Sequence, residues 1–161
     1  MTVMERPIEA STIIAAASDR VGGLLRAEPE IALPNPATLS VGAVHHQVVV
    51  TVDDAHTIED RVVVPVSWHA TGNDHLFPTF LGELSAEPSA GGTRLRLAGT
   101  YTVPLGLLGR FGDGVVGRRL AAESIRAFLA DVAGRVATAL EIAVELAVVS
   151  VDELPSEVFI G

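Results

Sequence analysis

The chain lacks cysteine and lysine altogether, and its 161 residues include one tryptophan, one tyrosine and five phenylalanines. Without cysteine there is no disulfide, no thiolate nucleophile and no cysteine-based metal site. The shortage of aromatics matters because 48% of the residues are hydrophobic yet mostly small. A large concave surface built from alanine, valine and glycine is not fully filled by its own side chains, so a partly open interior is expected. All 11 basic residues are arginines, and they are scattered rather than clustered, which reads as codon bias. The net charge of -9 disfavours nucleic acid and anionic membrane as partners, since phosphate binding needs grouped positive charge. No run is long and apolar enough to span a bilayer, and MTVMERPIEAS lacks a basic segment leading into an apolar one. The expectation is a cytoplasmic protein with no membrane insertion, folded as a single domain over 1–161, in which 150–161 is a flexible or interface tail.

What is present is organised around residues 101–136. There a strand end, a glycine-punctuated turn and an amphipathic helix follow one another. Asp113 suits an N-cap, and Leu120, Ala121, Ile125, Phe128, Leu129, Val132 and Val136 recur at three- and four-residue spacing, forming one apolar stripe. Such a stripe must be buried, and the valine-rich segments upstream supply a sheet. Past Ala137, TALEIAVELAVVSVDE reads equally as more helix or as a strand, and its apolar character makes it a candidate homodimer contact.

Taken in order, residues 2–9 read as a short strand ending near Pro7. Ser11 then caps a helix over STIIAAASDRVGGLLRA, split into a short pair at Gly22-Gly23. LPNP is an extended connector. From Leu39 the period becomes two: His46, Val48, Val50 and Val52 share a face, as do Val62, Val64, Val66 and Trp68 in the next strand. Leu76 to Ala86 is a third strand, in which Pro78 implies an edge or a bulge. TRLRLAGTYTV alternates Leu95, Leu97, Tyr101 and Val103 inward against Arg94, Arg96, Thr100 and Thr102 outward. An antiparallel meander closed by one long helix, after two short ones, is an α+β arrangement.

Four short motifs carry a family resemblance: Trp68, Ala70 and Gly72; Leu76, Phe77 and Pro78; Leu97, Gly99 and Tyr101; Pro104, Leu105 and Gly106. On these the chain resembles the START-related helix-grip superfamily, SRPBCC, which includes polyketide cyclase and dehydrase-like and lipid-transfer proteins. The resemblance implies a curved antiparallel sheet wrapped around the C-terminal helix with a central apolar pocket. It implies a cavity lined by His46, Val48, Val66, Trp68, Phe80, Leu97, Tyr101, Ala121, Ile125 and Phe128. No cofactor, metal ligand set or catalytic residue is assigned.

The residues leave three functional readings. The leading one is a non-catalytic binder or carrier of a small hydrophobic ligand such as a lipid, fatty acid or polyketide-like compound. The second is a cyclase- or dehydrase-like enzyme with His46, Glu83 or Tyr101 as proton-transfer groups, which needs at least two of them around one cavity. The third is a structural or regulatory dimer. His45 and His46 cannot share a metal ion, because adjacent strand residues face opposite ways. Trp68 and Tyr101 read as core or as cavity lining, according to whether space remains beside them. GLLGRFGDG matches no phosphate-binding motif, although the helix start near Arg110, Arg118 and Arg119 could attract a carboxylate or phosphate.

Overall fold

The computed structural model describes residues 3–41, 44–71, 77–104 and 115–152. They form strand β1 (Val3–Ile14), helices α1 (Ser18–Ala27) and α2 (Pro29–Ala32), strands β2 (Ala37–Val41), β3 (Val44–Val52), β4 (His56–Ile58), β5 (Arg61–Ala70), β6 (Thr79–Ser89) and β7 (Gly92–Pro104), and helix α3 (Val115–Asp152). One antiparallel seven-stranded sheet runs β1-β7-β6-β5-β3-β2, with the short β4 also paired to β5.

The alternation read from sequence sets the faces. Val48, Val50, Val62, Val64, Val66, Trp68, Leu95, Leu97 and Tyr101 are all buried, whereas His45, Gln47 and Thr51 on the opposite side of β3 are exposed. Helix α3 lies along the buried face and touches β1, β7 and β2, so the sheet curls far enough for both of its edge strands to reach one helix. Ala121, Ile125, Phe128, Leu129, Val132, Val136 and Leu140 are buried as one stripe. Each large side chain in it contributes roughly 1.5–3 kcal/mol by leaving water. That burial, rather than helix propensity, fixes α3 in place.

Several sequence expectations are corrected. Residues 11–14 are strand, not helix: β1 continues to Ile14 and pairs along its whole length with β7, from Val3 opposite Pro104 to Ile14 opposite Thr93. Thr12, Ile13 and Ile14 are β-branched and suit that pairing, and Pro7 is tolerated because β1 is an edge. The two short helices exist, but they divide at Glu28-Pro29, where Glu28 has φ -141° and ψ 60° before the proline that opens α2. Gly22 and Gly23 lie inside an unbroken α1.

The segment from Leu39 to Val52 is a hairpin of β2 and β3 rather than one strand, and DDAHTIED contains β4. Pro78 precedes β6, and β6 is central, so neither an edge nor a bulge is needed. Past Ala137 the helix continues to Asp152. Asp113, Arg110 and the rest of GLLGRFGDG, the turn at Gly72–His75, and residues 153–161 lie outside the described residues.

Local hydrogen bonds close the ladder where strands run out. Beyond the end of β2, the Val50 N–H donates to Asn35 Oδ1 at 3.0 Å. Pro65 sits on β5 between the stretches paired with β3 and β4, and its carbonyl accepts from the Asp53 N–H at 3.1 Å, so its missing N–H removes no ladder bond. Gly91, with φ 88°, allows the tight β6–β7 turn.

The helical glycines make one expectation sharp. A Cβ on Gly23 or on Gly134 would meet nothing within 4 Å, whereas one on Gly22 would stand 2.8 Å from Val62 Cγ2. Gly23→Ala and Gly134→Ala should each raise stability by about 0.5–1 kcal/mol in urea unfolding, from helix propensity alone. Gly22→Ala should show no such gain.

Candidate functional site

Three strands and the helix converge at one end of the buried face. Trp68 on β5 stands opposite Phe80 on β6, and Phe80 stands opposite Tyr101 on β7. The Trp68 and Phe80 rings stack with centroids 4.5 Å apart and planes at 24°, and Phe128 from α3 packs against Trp68 at 4.6 Å and 37°. Ile8, Trp68, Pro78, Thr79, Phe80, Tyr101, Ala121, Ser124 and Ile125 line a small cavity of about 10 Å³. That is room for about one water molecule.

Of the residues implied by the resemblance, Trp68, Phe80, Tyr101, Ala121 and Ile125 line this one space. Val48, Val66, Leu97 and Phe128 are buried in the core without bordering it. His46 is half-buried on β3, away from the cavity, with its ring stacked on Phe77 at 4.2 Å and 29°. Sequence reasoning did not place Ile8, Pro78, Thr79 or Ser124 at the site, although Pro78 belongs to one of the four motifs. Ser124 carries the one signal that was available, since it falls between Ala121 and Ile125 on the helix stripe. Its hydroxyl donates to the Leu120 carbonyl at 2.6 Å, which lets this polar side chain be buried.

The groups considered for proton transfer do not converge. Phe80, Leu84 and Ala86 are the buried apolar residues of β6, and Glu83 falls on the opposite face with Leu81, itself 72% exposed. His46 borders a different part of the inner face, so only Tyr101 reaches the cavity. Among the described residues, no group of three or more histidine and acidic side chains could hold a metal ion.

Larger hollows lie on the surface. One of about 430 Å³, between Ile14, Ala16, Arg20, Ala137 and Leu140, is crossed by a 3.1 Å hydrogen bond from Arg20 Nη2 to the Leu140 carbonyl. Another of about 530 Å³ runs along the outer side of α3 beside Ile31. The first of these is bordered by β1 and α3 near the far end of the helix stripe, whereas the small apolar cavity is the one that the aromatic residues of β5, β6 and β7 share with α3.

This chain, with its long C-terminal helix held along the inner face of a curled antiparallel sheet, aligns with solved proteins over most of its length. The di-domain ARO/CYC StfQ from the steffimycin biosynthetic pathway is similar at 16% identity and a TM-score of 0.50, over 84% of this chain and 50% of that one. The chain has the helix-grip fold. An uncharacterized protein from Rhizobium leguminosarum also aligns, at 11% identity over 84% of this helix-grip chain and 96% of its own, with a TM-score of 0.47. Norcoclaurine synthase from Thalictrum flavum aligns at 10% identity over 78% and 94%, with a TM-score of 0.40. No protein-family model and no curated protein sequence matches the helix-grip chain. No helix among the described residues is long and apolar enough to cross a membrane.

Proposed function

We propose that this helix-grip chain, one domain over its whole length, is a binder or carrier of a small hydrophobic molecule held between the sheet and α3. The observation that carries the reading is the convergence of Trp68, Phe80, Tyr101, Ala121 and Ile125 on a single interior space. Apolar pockets with few polar groups bind by surface removed from water, and Tyr101 and Ser124 supply the hydroxyls that orient a ligand. A cysteine-free composition suits a cytoplasmic setting. The cyclase- or dehydrase-like alternative, for which the StfQ likeness is the prompt, needs proton-transfer groups around one substrate. Glu83 on the outer face and His46 beside Phe77 weigh against it.

Displacement of anilinonaphthalene sulfonate by apolar compounds tests the binding reading, with energy transfer from Trp68, the only tryptophan, locating the dye. Ala121→Leu, which adds bulk beside the cavity, should weaken dye binding about tenfold or more by overpacking. Leu81→Ser, on the exposed outer face, should leave it unchanged. A dye that is lost with Leu81→Ser and kept with Ala121→Leu would place binding outside the grip and end this reading.

A further inference from the structure

A cavity of about 10 Å³ accepts no ligand until a lining side chain moves, and the structure points to which one. On the inner face, β6 and β7 present three opposed pairs in succession: Phe80 with Tyr101, Gly82 with Gly99, and Leu84 with Leu97. The middle pair has no side chains. The ring of Phe80 reclines over that bare backbone, and its Cζ lies 2.7 Å from where a Cβ on Gly82 would stand. Across the cavity, α3 contributes two more small residues, Ala121 and Ser124. Four small residues on two sides therefore bracket a gap whose occupant is one ring, stacked on Trp68.

Resting on the binding reading above, we propose that Phe80 is a built-in occupant of the site, and that a ligand binds by displacing its ring from Trp68 and taking its place over Gly82 and Gly99. Trp68 cannot be the part that yields, because Phe80 and Phe128 both pack against it and Phe128 is fully buried. Phe80 is the second residue of β6, directly after Pro78 and Thr79 at the rim of the cavity, so its ring can turn about its own side-chain bonds while the strand stays paired.

The displaced contact also selects the ligand. A stacked aromatic pair is favoured over equal apolar contact by a factor of about 2 to 13 in binding constant. A planar ring recovers that factor against Trp68, and a saturated chain does not. The class of ligand is therefore a flat, unsaturated ring system rather than an acyl chain. Because only molecules with Phe80 displaced are competent, the observed affinity is lowered by their fraction, and removing the ring should remove that loss.

The test compares wild type, Phe80→Ala and Phe80→Leu by titration calorimetry with 2-naphthol and with 1-decanol, which match in carbon number and differ in flatness. Trp68 emission reports the stack in the ligand-free proteins and with 1-decanol, which does not absorb or emit there, since no other tryptophan contributes. Phe80→Ala should leave a void of the kind that, at about 150 Å³, takes up benzene in an apolar core. It should bind 2-naphthol at least about tenfold more tightly than wild type, with Phe80→Leu between the two, and the gain should be larger for 2-naphthol than for 1-decanol. Phe80→Leu keeps most of the apolar volume, so it carries the comparison if the alanine variant fails to fold. Wild type that binds 2-naphthol as tightly as either variant overturns the role of Phe80 and leaves the cavity reading standing. A larger gain for 1-decanol overturns the ring preference. Failure of all three proteins to bind either probe removes the cavity reading, and this inference with it.

Discussion

Phe128→Ala should lower the stability of the fold by about 3–5 kcal/mol and its thermal midpoint by roughly 6–20 °C, measured by urea and heat unfolding followed through far-ultraviolet circular dichroism. Phe128 has no exposed surface, and its ring meets Trp68 at 4.6 Å. Deleting it removes the apolar contact and leaves a hole between two rigid elements that cannot close together, because α3 is held along its length by Ile125, Leu129, Val132 and Val136. Since small domains have only about 5–15 kcal/mol in hand, the loss is a large share of the whole. Phe128→Leu, which keeps most of the volume, should lose less than about 1.5 kcal/mol. A change below about 1 kcal/mol for Phe128→Ala would mean that the sheet does not hold the helix at this point.

Gly99→Ala should be at least as damaging, at about 3 kcal/mol or more, although it adds a single methyl group. A Cβ at Gly99 would stand 2.5 Å from Gly82 Cα and 2.9 Å from the Leu81 carbonyl carbon. These are backbone atoms of the neighbouring strand, so no side chain can rotate away, and β6 and β7 must part where they are paired. The contrast with Gly23→Ala isolates the cause. The same chemical change stabilises a helix surface that is open and destabilises a sheet whose strands approach too closely for any side chain. Gly99→Ala with an unchanged urea midpoint would show that the two strands have room to separate.

The stripe of α3 and the alternation in β3, β5 and β7 were legible because each is a local pattern with one face buried. Other features were decided by pairing across long stretches of chain. Residues 11–14 sit beside alanines that favour a helix, and only their partnership with residues 93–96 makes them strand. Glu83 has apolar neighbours on both faces of β6, Leu81 on one and Phe80 and Leu84 on the other. Its direction follows from Trp68 standing opposite Phe80, which no local pattern records. The site divides in the same way. Trp68, Tyr101, Ala121 and Ile125 could be placed inward from their own segments, whereas the facing of Gly82 and Gly99 exists only in the register between β6 and β7. Ile8 was out of reach because it stood at the end of a short strand expected over 2–9, and its face is set only by pairing with residue 99 on β7.

The pairing of β1 with β7 has a consequence for the order of events as the chain is made. Among the described residues, 3–14 have no sheet neighbour other than 93–104, so the first strand of this sheet to be synthesised must wait for the last strand of the sheet before it finds a hydrogen-bonded partner. Contacts of such long sequence separation slow folding, because the intervening loop has to be ordered first. Until β7 arrives, MERPIEASTII carries its own safeguard against pairing with a stranger: two glutamates, an arginine and a proline interrupt what would otherwise be an adhesive β-branched edge.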